Sequence, residues 1–245
     1  MEQTDSRLRS LHILDFGLFR VHAGRTIGIP GYLLQTQAGR NILVDTGFRP
    51  DYAADIERAS AEDRLGTFGE LLNFSERQLP AAQLALLGLQ PADIDTLILT
   101  HTHIDHVGGL PQFAHCAVVV HAAERALPRP LYFDGHCPFA WPQVREWRLV
   151  SDEVDIVPGV RLIPTPGHTP GHLSLLLELP HTGAVLLTGD AIDRPALFDE
   201  GFANPQALDS AQRLMQLARE RSALVIYGHD PAQWPLLPKA PHGYD

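Results

Sequence analysis

The sequence predicts an α/β fold on three observations: short β-rich runs recur in both halves of the chain, each ends in a polar or glycine-containing turn, and helical stretches intervene. The first half carries LHILDFG near residue 11, GYLLQT at 31, NILVDTG at 41, TLILTH at 96 and AVVVH at 117. VRLIPTPGH at 160, HLSLLLEL at 172, AVLLTGD at 184 and ALVIYGH at 223 repeat the pattern in the second. The clearest helical stretches are residues 80–89 and 207–221. In the latter, Leu214 and Leu217 share a face, arginines take the other, and Asp209 is placed to cap the start. Residues 49–78 and 127–147 read poorly as core elements; the first is polar with scattered aromatics and the second is rich in proline and aromatics, as functional or interfacial insertions often are. No linker or short-period repeat interrupts the chain. The expectation is one domain over residues 1–245, its two β-rich halves meeting near residue 150.

At 245 residues the chain can bury a full core, and its 44% hydrophobic and 20% charged shares are ordinary for a soluble globular protein. No apolar run approaches the roughly 18 residues of a membrane span. The opening MEQTDSRLRSLHILDFG lacks the basic start and apolar block of a secretory signal, so a cytoplasmic protein with no membrane partner is expected. A formal charge of −10 argues against a nucleic-acid partner, because affinity for the phosphate backbone comes from clustered Lys and Arg. Cys116 and Cys137 are too few for a disulfide framework or a zinc ribbon. Lys239 is the only lysine, which leaves no interior amine for Schiff-base chemistry.

The densest chemical signal is His101-Thr102-His103-Ile104-Asp105-His106, directly after the apolar run TLILT. If residues 101 and 103 continue that strand, its period of two puts both imidazoles on one side, within reach of one cation. A turn then redirects Asp105 and His106, and Val107-Gly108-Gly109 permits the tight backbone path. Imidazole and carboxylate donors without thiolates suit a catalytic zinc, iron, cobalt or manganese better than a structural zinc. His168 in TPGHTPGH, Asp190 in LLTGDA and His229 in VIYGHD stand at comparable strand ends and complete the donors of a two-ion site.

This H-x-H-x-D-H run, followed in order by His168, Asp190 and His229, resembles the metallo-β-lactamase superfamily, with similarity from VDTG at 44–47 to GHD at 228–230. The resemblance implies an αββα sandwich, two central mixed sheets flanked by helices, with the metals at one edge. It also implies a ligand set: His101, His103 and His168 on the first ion, Asp105, His106 and His229 on the second, and Asp190 with a water or hydroxide bridging them. His172 would support a ligand from behind, and His12, His22, His115, His121, His136, His181 and His242 lack ligand spacing.

Two divalent ions about 3.5 Å apart suit hydrolysis, with zinc the first expectation and iron, cobalt or manganese admitted, and Asp105 is the candidate proton shuttle. GIPGYLLQT before NILVDTGF, the insertion after residue 50 and the closing GHDPAQWPLLPKAP resemble the N-acyl homoserine lactonase branch. That branch implies a quorum-quenching homodimer that opens acyl lactone rings by attack of the metal-bridging hydroxide. Phe48, Ile104, Ile192 and Asp193 are then expected near the substrate, with Phe68, Phe133 and Trp141 as further aromatic candidates. One departure stands out: the branch commonly has a tyrosine three places after the bridging aspartate, where this chain has Asp193. An acceptor replaces a donor, and Tyr132 and Tyr227 are the candidate substitutes. Alternatives are another lactone, ester, thioester or organophosphate hydrolase, a class B β-lactamase, a mononuclear iron sulfur dioxygenase, and a non-catalytic metal-binding scaffold. A glyoxalase-type thioesterase would call for a helical substrate domain where only 16 residues follow His229.

Overall fold

The computed structural model describes residues 6–22, 24–132 and 136–245, and its strands form two mixed sheets. The larger contains β1 (Leu8–Val21), β2 (Thr26–Thr36), β3 (Asn41–Val44), β4 (Gly69–Leu72), β5 (Thr96–Ile98), β6 (Ala117–His121) and β7 (Glu146–Val150), in the order β4-β1-β2-β3-β5-β6-β7. Its β4-β1-β2-β3 part is antiparallel, and β3, β5, β6 and β7 run parallel. The smaller contains β8 (Val154–Val157), β9 (Val160–Pro164), β10 (Leu173–Leu179), β11 (Gly183–Leu187) and β12 (Leu224–Ile226), in the order β12-β11-β10-β9-β8. The sheets divide between Val150 and Val154, where the sequence changes halves.

Alternation along the strands explains the layering. In β3, Ile42 and Val44 face the smaller sheet while Leu43 faces away; in β10, Leu173, Leu175, Leu177 and Leu179 face the larger sheet while Leu176 faces away. Such strands are apolar on both sides, which is why they read as continuous runs. Away from the shared middle layer, the larger sheet packs under α1 (Asp51–Ala54), α2 (Ile56–Glu62), α3 (Pro80–Ala85) and α4 (Ile104–Val107), with α5 (Ala122–Arg125) following β6. The smaller sheet packs under α7 (Pro205–Arg221), which follows α6 (Leu197–Glu200) and buries Ala211, Leu214 and Ala218 against Ile163, Leu176 and Leu186. The result is helix, sheet, sheet, helix.

Several expectations need correction. Asn204, not Asp209, caps α7: its Oδ1 accepts from Ala207 N at 2.9 Å, and Pro205 at the first position has no N–H to satisfy. The helix at 80 stops at Ala85, and Gly88 then takes φ +71°. The 49–78 stretch contributes Tyr52, Ala59, Leu65 and Leu71 to the core; its polarity reflects a buried Arg49 that binds Asp51, Glu62 and Asp63. In the 127–147 stretch, Trp141 packs edge-on against Trp147, with Arg125 over both rings. No helix among the described residues is long and apolar enough to cross a membrane.

Candidate metal centre

Five strands, β3, β5, β9, β11 and β12, deliver their carboxyl ends to one edge of the sandwich. After β3, Asp45 adopts φ +60°, and its carboxylate accepts from Thr100 N at 2.8 Å, Thr100 Oγ1 at 2.7 Å and His106 Nδ1 at 2.8 Å. That bond turns His106 Nε2 toward the centre. After β5 the ladder ends at Ile98, so His101 and His103 lie in the following loop and not in the strand. Their rings still converge, His101 Nε2 standing 3.1 Å from His103 Nδ1. His103 then precedes α4, whose single turn carries Asp105 and His106 round to the far side of His101.

His168, in the loop after β9, places Nε2 2.8 Å from His103 Nδ1 and 3.3 Å from Asp190 Oδ2. Asp190, after β11, directs its other oxygen Oδ1 to within 3.2 Å of His229 Nε2 and 3.5 Å of His106 Nε2. Asp105 Oδ2 lies 3.6 Å from both His106 Nε2 and His229 Nε2. His229 is oriented by its Nδ1–H, which donates to Gly28 O at 2.8 Å. His172 accepts from Asp190 N at 3.0 Å, so its Nδ1 carries the proton and donates to Thr165 Oγ1 at 2.8 Å. Thr165 passes the chain to Ser174, which donates to Thr188 O at 2.8 Å. Gly189 takes φ +51° here, and a Cβ on it would stand 2.8 Å from His172 Nε2.

Two groups of side chains therefore present donor atoms within 4.8 Å of one another: His101, His103, His168 and Asp190, and beside them Asp105, His106 and His229. Asp190 Oδ1 and His106 Nε2 are buried and lack a hydrogen-bond partner, which is costly unless a cation lies between them. Nitrogen and carboxylate donors fit divalent ions of the zinc, iron, cobalt or manganese type. Burial and neighbouring imidazoles hold His101 and His103 well below the ordinary histidine value. Burial opposes charge on His106 and His229 too, but Asp105, Asp45 and Asp190 lift His106 to about 10, and Asp190 and Asp105 lift His229 to about 9.

The centre floors a cavity of about 390 Å³ walled by Phe19, Val21, Ile27, Phe48, Phe68, Leu197 and Phe202. The superfamily pattern described as "Metallo-beta-lactamase superfamily" matches residues 28–229, the span from the carbonyl that holds His229 to His229 itself. The chain belongs to the metallo-β-lactamase superfamily. Within it, the chain is 34% identical to the N-acyl homoserine lactonase AiiA of Bacillus thuringiensis subsp. kurstaki over 222 residues, 86% of this chain and 85% of that protein. It is 33% identical to the N-acyl homoserine lactonase AttM of Rhizobium radiobacter over 240 residues, 89% and 88% of the two chains. A solved N-acyl homoserine lactone hydrolase with the product N-hexanoyl-L-homoserine at its catalytic metal centre superposes with a TM-score of 0.82 at 28% identity, covering 97% of this chain and 99% of that one.

The superfamily expectation of an αββα sandwich thus holds, and the seven side chains predicted as ligands all meet at the strand ends. Of the residues expected near substrate, Phe48, Phe68 and Asp193 line the cavity. Ile104 and Ile192 do not: each lies in a helical turn within two residues of an aspartate of the centre but packs into a buried apolar cluster. Ile104 is wholly buried beside Val107 and Leu110, and Ile192 beneath α7. Trp141 is half-buried against the core, and Phe133 lies outside the described residues. Tyr132 is buried near Phe139 and Tyr227 packs beside α7, so neither candidate lines the cavity in place of the missing tyrosine. Asp193 accepts from Arg194 Nη1 at 2.6 Å and faces Arg25 at 3.4 Å, while burial pushes its carboxyl up. Sequence reasoning misses Asp45 and Thr100 as supports, although Asp45 stands in the legible DTG turn. It also misses Phe19, Val21, Ile27, Leu197 and Phe202, which come from separated segments and share no local signal.

Proposed function

We propose that this chain is a dinuclear metal-dependent hydrolase that opens the ring of N-acyl homoserine lactones, a quorum-quenching activity. The observation that carries the reading is the pair of donor groups at the floor of an apolar-walled cavity, with Asp190 of the first group reaching His106 and His229 of the second. The relatives named lactonases, each covered over more than four-fifths of its length, support the same substrate class. In this reading His101, His103 and His168 would hold one ion and Asp105, His106 and His229 the other, with Asp190 standing between the two groups. When bound, two divalent ions polarise an ester carbonyl and lower the pKa of water between them.

The chain's own residues supply the rest. Asp105 lines the cavity, and its carboxylate takes the proton released from the attacking water and returns it to the leaving alkoxide. Asp45, His172 and Gly28 O hold their partners so that donor atoms need no reorganisation during reaction. Phe19, Val21, Ile27, Phe68 and Phe202 exclude water and receive the acyl chain. Apart from the ligand groups, Asp193 is the only polar side chain among the described lining residues, so none of these offers a side-chain hydroxyl or amide to orient the lactone carbonyl.

Zinc is the proposed ion, with iron, cobalt or manganese accommodated by the same donors. The chain is further proposed to act in the cytoplasm as a homodimer of one domain each; sedimentation of a monomer at micromolar concentration removes the dimer. The function is tested by proton release with acyl homoserine lactones, aliphatic lactones, aryl esters, thioesters and phosphotriesters. Highest turnover of the acyl homoserine lactones supports the reading, and preference for another class overturns it.

A further inference from the structure

The two ligand-bearing loops are joined behind the centre by a group that touches none of the seven ligands. Glu124, in α5, is wholly buried. Its Oε2 accepts from Thr102 Oγ1 at 2.6 Å, and its Oε1 accepts from Gly171 N at 3.1 Å. Thr102 is the residue between His101 and His103, and Gly171 lies three residues after His168 and directly before His172. The contact is tight from both sides. The Thr102 hydroxyl also accepts from Leu131 N at 2.9 Å and its carbonyl from Tyr132 N at 2.9 Å. A Cβ on Gly171 would stand 2.8 Å from Glu124 Cγ and 2.9 Å from both Glu124 N and His121 Nδ1.

Burying a carboxylate is costly, and no lysine, arginine or histidine among the described residues forms an ion pair with Glu124. A carboxylate suits this position because it offers two acceptors in one plane, one for each loop. Asp45 plays the corresponding part on the other side, through Thr100 and His106. The paired arrangement gives each donor group its own buried carboxylate behind it.

We infer that Glu124 is a positioning residue that locks the His101–His103 loop to the His168 loop, and so sets the affinity of the ion those three histidines hold. The inference rests on the two-ion reading above. It also accounts for two motif positions that bind nothing themselves, the threonine of His-Thr-His and the second glycine of TPGHTPGH.

The test titrates metal-free protein with Zn²⁺ against a chromophoric chelator, and with Co²⁺ by visible absorption. It compares the wild type with Glu124→Ala, Glu124→Gln and Thr102→Val, each also in a His106→Ala background that weakens the other position. Loss of such an outer contact weakens an ion by about 10- to 100-fold. That loss is expected for Glu124→Ala at the position retained in the His106→Ala background, with an altered Co²⁺ spectrum. Glu124→Gln is expected to recover part of it, since its amide oxygen still accepts from Gly171 N and its NH₂ donates to Thr102. Asp45→Asn should weaken the opposite position. Wild-type ion affinities and spectrum in Glu124→Gln and Thr102→Val, whether or not the melting temperature of the metal-free protein falls, overturn the inference. A wild type that binds no pair of ions overturns the two-ion reading instead, so the two failures are distinguishable. If Glu124→Ala does not fold, Thr102→Val and Glu124→Gln carry the decision.

Discussion

The floor and the walls of the cavity are built in opposite ways. The floor consists of titratable side chains from short motifs, three of them held from behind: His106 by Asp45, His229 by Gly28 O and the Asp190 turn by His172. The walls are apolar side chains from β1, β2 and the segments near residues 48, 68 and 200. Chemistry is therefore stored in the floor and selectivity in the walls. Floor changes should abolish the reaction, whereas wall changes should redistribute it among substrates.

The largest effect is expected at Asp105. Asp105→Asn keeps the size and one acceptor but cannot take up and return a proton, so turnover should fall by about 10²- to 10⁴-fold. Metal content measured on the same sample separates proton transfer from ion loss, and near-wild-type turnover with both ions present would exclude the role.

Removing the ions exposes the electrostatics of the floor. In the metal-free protein His106 and His229 are held up to about 10 and about 9 by surrounding carboxylates, above the ordinary value of 6.5. A raised folded pKa contributes stability that is fully present below the unfolded value and lost as pH rises through the folded one. Chelator-treated protein should therefore lose denaturant resistance between about pH 7 and pH 10. His101, His103 and His172, whose values are lowered, act in the opposite sense only below about 6.5. A profile flat from neutral to alkaline pH contradicts this picture of the floor.

The walls predict smaller, substrate-dependent effects. Phe202→Ala removes an aromatic face and should lower kcat/KM by about tenfold for a long acyl chain while changing a short one less. Equal losses for both lengths would place the acyl chain elsewhere. Asp193→Ala is expected to change lactone turnover by no more than about fivefold, the worth of one ordinary hydrogen bond, because Asp193 is committed to Arg194 and Arg25. Complete loss with both ions retained would give Asp193 a part in the chemistry.

The same contrast decides what is legible in the sequence. His101, His103, Asp105 and His106 announce themselves because four donors crowded into six residues repel or strand one another unless a cation gathers them, and the strands betray themselves by apolar runs buried on both faces. Edge strands are harder to read. β7 and β8 are largely exposed on both faces, and β4 is short and lies within a polar stretch, so none shows a core pattern. The supports Asp45 and Glu124 escape notice because a buried carboxylate looks like a surface one until its donors are placed. Ile104 and Ile192 mislead because nearness in sequence is not nearness in space: one or two residues along a helical turn, at about 100° each, carry a side chain onto the buried face.

The claim that Asp190 joins two ion positions is tested most directly by elemental analysis and activity on the same protein, purified without chelator, beside His106→Ala. Two divalent ions per wild-type chain, one weakened selectively in His106→Ala together with lactonase turnover, is the predicted result. One ion per chain with full activity would contradict it.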